Sequence, residues 1–248
     1  MQKLLDKLYQ ILPYLFDRET LKAIFFWPRF SIASYSNALS LFRLGIRPRT
    51  VIDVGANTGQ FTIAAARIFK GAKIHAFEPL PNCVKKLRRL TLNLPDVEIH
   101  AVAIGHRRGK CDFFVNAYSQ ASSMLRLSKK KSAQFPNLEE INTIHIDMET
   151  LDSFFAERCM KGPVLLKIDV QGSEKLVLEG AREMLKRIDY VLLEASFTPT
   201  YVGEPLFPEL FEIMGELSFG FIRPINFLRH PGSGEILQAD VLFGRTDG

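Results

Sequence analysis

The chain has 248 residues, of which 47% are hydrophobic and 24% charged, with a formal net charge of +5. That length suits one α/β domain with its own core, and that balance excludes disordered and fibrous classes. The positive excess is modest. Its clusters (Lys85-Lys86 with Arg88-Arg89, Arg107-Arg108, and Lys129-Lys130-Lys131) carry no interleaved aromatics of the kind that stack on bases, so they read as solvated faces and no nucleic-acid partner is expected.

Residues 1–48 read as an amphipathic helical cap. Leu4, Leu5, Leu8, Leu12, Leu15 and Phe16 recur at helical spacing. Lys3, Asp6, Lys7 and Asp17 interrupt the apolar run before it reaches bilayer length, and no hydrophobic stretch ends at a small-residue cleavage site. Packing on the chain's own domain is favoured over peripheral contact with a membrane, which is the lesser alternative. Cys83, Cys111 and Cys159 form no CxxC pair and leave one over in any disulfide scheme, which with the missing signal sequence points to a reducing cytoplasm.

Residues 49–248 form the second unit, in which short apolar runs alternate with helical stretches, the pattern of a mostly parallel sheet built from βαβ units. Strands are predicted over 50–54, 73–77 and 97–103, with helices over 61–69 and 82–92 between them. A turn at 105–109 leads into 111–115, an antiparallel insertion, and the polar stretch 116–140 is expected to be a loop that serves as a lid or acceptor-recognition element. An edge strand over 143–148, a helix over 151–158 and an apolar central strand over 163–168 follow, then a helix over 176–185, a buried strand over 190–194 and a helix over 206–217. The tail closes with 219–225 and 236–243, which can pair antiparallel.

Three segments carry chemistry. The first strand runs into Asp53-Val-Gly55-Ala-Asn57-Thr58-Gly59, which puts glycines where the chain must turn beneath a ligand at the carboxyl end of the sheet. A dinucleotide fingerprint needs GxGxxG, and Asn57 stands where its middle glycine would fall; a P-loop needs a lysine and a hydroxyl where Gln60 and Phe61 stand. Glu78, about twenty residues past Gly59, ends the second strand where α/β nucleotide folds place the carboxylate that accepts from a ribose diol. Lys167-Ile-Asp169-Val-Gln171-Gly172-Ser-Glu174 ends a buried strand in an acid, a turn and a second acid, so either carboxylate could face the reacting group and take a proton. Asp169 and Glu174 would also offer oxygen ligands to magnesium, but no metal site is assigned, and the histidines show no HxxxH or Cys/His spacing suited to zinc.

These segments, with Ser122-Ser123 between them, resemble the FkbM family of S-adenosylmethionine-dependent methyltransferases. The likeness covers residues 50–194 and reaches weakly to 243. The family pattern D-x-G-A-N-x-G, F-E-P, a serine-containing segment and K-I-D-V-E-G-x-E is met by residues 53–59, Phe77-Glu78-Pro79, Ser122-Ser123 and residues 167–174, with one departure, Gln171 in place of glutamate. The resemblance implies a Rossmann-like class I methyltransferase with a seven-stranded sheet and helices on both faces. It implies S-adenosylmethionine held by Asp53, Gly55, Asn57, Gly59, Glu78, Ser122 and Ser123, catalysis by Asp169 and Glu174, and O-methylation of a sugar, glycan or secondary-metabolite hydroxyl. The alternatives are an NAD-dependent oxidoreductase, which the glycine spacing disfavours, and a noncatalytic protein that binds S-adenosylmethionine.

Overall fold

The computed structural model describes residues 18–128, 140–230 and 232–247. The leucine face of the predicted cap up to Phe16, and the lysine run of the predicted loop, lie outside them. The chain begins with helices α1 (Arg18–Phe26) and α2 (Ile32–Arg43), followed by β1 (Thr50–Val54), α3 (Gln60–Ile68), β2 (Lys73–Phe77), α4 (Pro81–Leu90) and β3 (Val97–His100). Next come β4 (Ala103–Ile104), β5 (Gly109–Asn116), a 3-10 turn (Ser119–Ala121), β6 (Glu140–Glu149) and α5 (Leu151–Phe155). The last part holds β7 (Val164–Ile168), α6 (Glu174–Glu179), α7 (Arg182–Leu185), β8 (Tyr190–Ser196), α8 (Phe207–Glu216), β9 (Phe219–Arg229) and β10 (Ile236–Arg245).

Seven strands form one sheet in the order β3-β2-β1-β7-β8-β10-β9. All its pairs are parallel except those of β10, which runs antiparallel to both β8 and β9. β1 and β7 are buried at every position, as expected of central strands covered on both faces. Their alternating side chains divide between two cores. Ile52, Leu166 and Ile168 join Val177, Met184, Leu210 and Phe243 on one face, while Val51 and Leu165 join Phe61, Ala64, Leu192 and Leu242 on the other. Ala38 and Leu41 of α2 belong to this second core, so α2 covers the sheet beside α3. No helix among the described residues is long and apolar enough to cross a membrane.

The chain leaves β1 towards β2 and β3 and later returns as β7 on the opposite side of β1, so the strand order switches between β1 and β7. A crevice opens at the carboxyl ends of strands flanking such a switch. The loop after β1 and the loop after β7 are the two that meet there.

Several elements depart from the sequence reading. The predicted strand 97–103 divides: β3 stays in the main sheet and β4 joins a separate three-stranded sheet, β4-β6-β5. The strand expected at an edge over 143–148 is the longer β6 and lies in the middle of that small sheet, because β4 pairs with it in parallel on the side away from β5. The helix expected over 151–158 ends at Phe155, where Ala156 N–H turns back to the Ser153 carbonyl and tightens the last turn. The helix expected over 176–185 is two short ones. Gly180 sits between them against the backbone of Gly105, where a Cβ would come within 2.0 Å of the Gly105 carbonyl oxygen, and the Asp152 carboxylate accepts the Glu183 and Met184 N–H groups to start α7 afresh.

Candidate active site

At the switch point the two loops touch. Gly55 has φ +86°, and a Cβ on it would lie 1.9 Å from the Asp169 carbonyl oxygen, so only glycine permits both the turn and the contact. Gly59, at φ +94°, starts α3, and a Cβ there would strike Leu87 of α4 at 2.4 Å. Asn57 also has positive φ, 47°, a conformation its short amide tolerates by accepting the Thr58 N–H at 2.9 Å. Its own N–H donates to Glu78 Oε2 at 2.8 Å, and its side-chain amide reaches Ser119 Oγ at 3.4 Å. The other Glu78 oxygen accepts the Leu80 N–H at 2.9 Å. Glu78 thus braces the glycine loop. Burial outweighs these two N–H bonds and pushes its carboxyl up to about 7.

A cavity of about 610 Å³ runs from this loop to the first residues of β10, within the size range of cofactor sites. Gly55, Asn57, Glu78 and Ser122 lie on one wall, and Asp169, Gln171, Glu194 and Asp240 on the other. Ser31, Ser34 and Asn37 from the start of α2 also line it, and Arg29 just before them donates to the Thr58 hydroxyl at 2.8 Å. The N-terminal helices therefore close the site as well as covering the sheet.

Several of the residues expected at the site lie behind the cavity wall. Asp53 is fully enclosed, accepts from the Thr62 hydroxyl at 2.6 Å and faces Lys167 at 3.6 Å, which suits it to supporting the glycine loop from below. Ser122 lines the cavity and accepts the Asn116 N–H at 2.9 Å. Ser123 turns the other way and donates to the Gln171 carbonyl at 2.7 Å, pinning the turn after β7. Glu174, buried at the start of α6, accepts from the Val170 and Gly172 N–H groups at 3.1 and 3.2 Å, and burial raises its carboxyl to about 7. Its oxygen is committed to the turn that carries Asp169 and Gln171, so it does not converge with Asp169 as a catalytic or magnesium-binding pair would.

The second wall is a charge network in which Lys167 is the central cation. Its ammonium is 2.9 Å from Asp169 Oδ2, and although burial opposes the charge, Asp169 and Asp53 together raise its pKa. Burial would raise Asp169 as well, but Lys167 outweighs it and holds that carboxyl low. Glu194 lies in the same pocket without a direct cation; burial, with Asp169 and Asp240 nearby, pushes it well above the carboxylate range. The Gln171 amide joins the two acids, donating to Asp169 Oδ1 at 2.9 Å and Glu194 Oε2 at 2.7 Å, while its oxygen accepts from the Tyr201 hydroxyl at 3.1 Å. A glutamate at 171 could not make these two donations. Asp240, raised by burial to about 6, accepts from the Asn37 amide at 2.9 Å.

Comparison with known proteins bears directly on this arrangement. Residues 53–222 match the model of the methyltransferase FkbM domain, a span that contains the glycine loop, Glu78, the serine pair and the Asp169 turn. The chain belongs to the FkbM methyltransferase family. It is 26% identical over 160 residues to the 2-O-methyltransferase NoeI of Sinorhizobium fredii (strain NBRC 101917 / NGR234), covering 62% of this chain and 66% of that protein. It is 29% identical over 197 residues to the 31-O-demethyl-FK506 methyltransferase FkbM of Streptomyces tacrolimicus, covering 64% of this chain and 70% of that one. The chain thus spans about two thirds of the length of these relatives. Its fold is that of the magnesium protoporphyrin IX methyltransferase of Synechocystis PCC 6803 solved with bound SAM, at TM-score 0.50, 11% identity, and coverage of 86% of this chain and 78% of that chain.

Family membership makes S-adenosylmethionine the cofactor, and the first wall fits it. Gly55 leaves the crevice open beside it, and Asn57 and Glu78 line it with an amide and a carboxylate. Four further groups line the cavity on the second wall, Lys167, Glu194, Gln238 and Asp240, and no motif in the sequence marks them as site residues. The signal available was weak: Glu194 and Asp240 are acids inside strands that read as buried, and a buried acid usually marks a site or an ion pair.

Proposed function

We propose that this chain transfers the methyl group of S-adenosylmethionine to a hydroxyl oxygen of a small-molecule or glycan acceptor. The carrying observation is the continuous cavity that joins the Gly55–Glu78 wall to the Asp169–Asp240 wall. The residues of the first wall would hold the cofactor: Glu78 would accept from its ribose hydroxyls, Gly55 and Asn57 would give room for its chain and Ser122 would border it, while Asp53, Gly59 and Ser123 support the loops from behind. The acceptor lies on the second wall, where carboxylates and amides of Asp169, Glu194, Asp240, Gln238 and Asn37 suit a polyhydroxylated molecule.

In the transfer the acceptor oxygen forms a bond to the methyl carbon as the carbon–sulfur bond breaks, and the sulfonium becomes a neutral thioether. Holding oxygen and methyl in line supplies much of the acceleration. The hydroxyl proton passes to Asp169, kept ionised by Lys167 and oriented by Gln171, while Glu174 acts at one remove by holding the turn. The O-methyltransferase names of the two relatives support oxygen as the atom methylated.

The test is incubation with label in the methyl group of S-adenosylmethionine and a panel of hydroxylated glycans, lipids and metabolites. Label is expected in an alkali-stable ether on one acceptor class. Binding of NADH without binding of S-adenosylmethionine would overturn the proposal in favour of an oxidoreductase, and tight cofactor binding with no transfer to any acceptor would favour a noncatalytic binding protein.

A further inference from the structure

Outside the cavity, the outer strands of the main sheet bring together three side chains that chain spacing does not connect. β2 and β3 pair in parallel with His75 opposite Glu98 and Phe77 opposite His100. Side chains two apart on a strand share a face, and so do residues in register, so His75, Glu98 and His100 project from one side of the sheet. None of the three lines the cavity. Their donor atoms all lie within 4.8 Å of one another, with His75 Nδ1 3.2 Å from His100 Nε2 and 3.3 Å from Glu98 Oε2.

Hydrogen bonds meet these distances one pair at a time or through one shared hydrogen. His75 Nδ1 faces two partners and carries either one proton or one lone pair. Protonated, it must split its hydrogen between Glu98 and His100; unprotonated, it sets a lone pair against the Glu98 carboxylate. A cation shared by three lone pairs satisfies all three contacts. Zinc bonds imidazole nitrogen and carboxylate oxygen at about 2.0–2.2 Å, which in a tetrahedron separates neighbouring ligand atoms by about 3.3 Å.

We propose that His75, Glu98 and His100 form a zinc-binding site on the β2–β3 edge, completed by water and separate from the methyl-transfer cavity. The surroundings are arranged for it. Lys73 takes Glu98 Oε1 at 2.7 Å and leaves Oε2 turned to the histidines, the outer contact that fixes a ligating carboxylate. The His75 ring meets Phe155 edge-on at 5.2 Å, and the His100 ring packs on Phe77 and Phe154 at 4.7 and 4.6 Å. Lys73 takes part in an ion pair with Glu98 at 2.7 Å, and its positive charge weakens the attraction for a cation. The Glu98 side chain is 43% exposed, so the ion reaches the site from solvent.

The site lies next to the cofactor wall. The Glu78 N–H donates to the His100 carbonyl at 3.1 Å, and Phe77 both lines the cavity and touches the His100 ring. Zinc at this edge would clip β3 to β2 immediately beneath Glu78.

The full-length protein, freed of metal by a chelator, is titrated with zinc chloride against a chromophoric indicator and with cobalt chloride by visible absorption. One equivalent is expected to bind, with the intense absorption of four-coordinate cobalt and a higher melting temperature in zinc. Glu98→Gln, on a half-exposed side chain that the fold tolerates, is expected to weaken zinc binding about tenfold or more, and His100→Gln to do the same. His145→Gln removes an exposed histidine paired with Asp112 at 2.7 Å and is expected to change nothing. The proposal is overturned if no stoichiometric zinc binds, or if Glu98→Gln binds it as tightly as the unaltered chain. Neither result depends on methyl transfer, so the two proposals stand or fall separately.

Discussion

The two walls of the cavity are built in opposite ways. The wall proposed for the cofactor comes mostly from one βαβ unit: β1, its glycine loop and the end of β2 supply Gly55, Asn57 and Glu78 within 24 consecutive residues, and the N–H groups of Asn57 and Leu80 meet the Glu78 carboxylate. The opposite wall is gathered from α2, β7, β8 and β10, spanning Asn37 to Asp240, and side chains meet side chains around Lys167. A backbone wall is rigid and insensitive to side-chain identity except at glycines, which suits an invariant ligand. A side-chain network can be rebuilt by changing single residues, which suits an acceptor that varies between relatives.

The comparison breaks most severely at the contact between the walls. Gly55→Ala would drive a Cβ into the Asp169 carbonyl at a positive φ, so a loss of about 3 kcal/mol or more of stability is expected, with cofactor binding abolished in whatever folds. Thermal unfolding and calorimetric titration measure both. Asp169→Asn keeps the shape of the acceptor wall but removes the base; kcat is expected to fall by about a hundred to ten thousand fold with the cofactor Kd little changed. Equal loss of cofactor binding in Asp169→Asn and Glu78→Ala would erase the distinction between the walls.

Glu78→Ala is expected to weaken S-adenosylmethionine by about ten- to a hundred-fold, the range for hydrogen bonds to a charged group. The pH dependence sharpens this. Glu78 in the free protein titrates at about 7 and binds ribose as the carboxylate, so affinity should tighten as pH rises through 7 and release a proton near that value, an effect absent in Glu78→Gln. Stability of the free protein runs the other way. The folded state holds this proton more tightly than a free glutamate at 4.5, so its contribution is full below 4.5 and is lost as pH rises through 7. Melting temperatures across that range in unaltered protein and Glu78→Gln test the sign.

Smaller effects are expected deeper in the acceptor wall. Asn37→Ala removes the amide that holds Asp240 and should raise the acceptor KM about fivefold at unchanged cofactor Kd, the scale of one hydrogen bond. Tyr201→Phe loses a hydroxyl whose one hydrogen is shared between the Ala121 carbonyl at 3.0 Å and Gln171 Oε1 at 3.1 Å, and is expected to cost about 1 kcal/mol of stability with a minor change in kcat.

The turn at the Gly55–Glu78 end of the cavity was legible in the residues alone. A fully buried strand, a turn that needs positive φ at Gly55 and Gly59, and an acid at the end of the next strand are local requirements, and local requirements leave residue types at fixed spacing. The same holds for β7 and for the Asp169 turn, whose order along the chain carried the likeness to the FkbM family. Only the tertiary structure decided which way the acids near that turn face. Asp169 and Glu174 look equivalent as strand-end carboxylates, yet one turns to Lys167 in the cavity and the other inward to the amides of its own turn, because α6 begins at that point. It also decided that Gln171 is a bridge between acids, that Glu194 and Asp240 share its wall, and that Asn37 of α2 and Arg29 of the turn before it close the site. The histidines make the same point: their spacing shows no zinc motif, and it is the register of β2 against β3 that sets His75, Glu98 and His100 on one face. Contacts between elements far apart in the chain depend on how a sheet orders its strands, and strand order leaves no periodicity in the residues themselves.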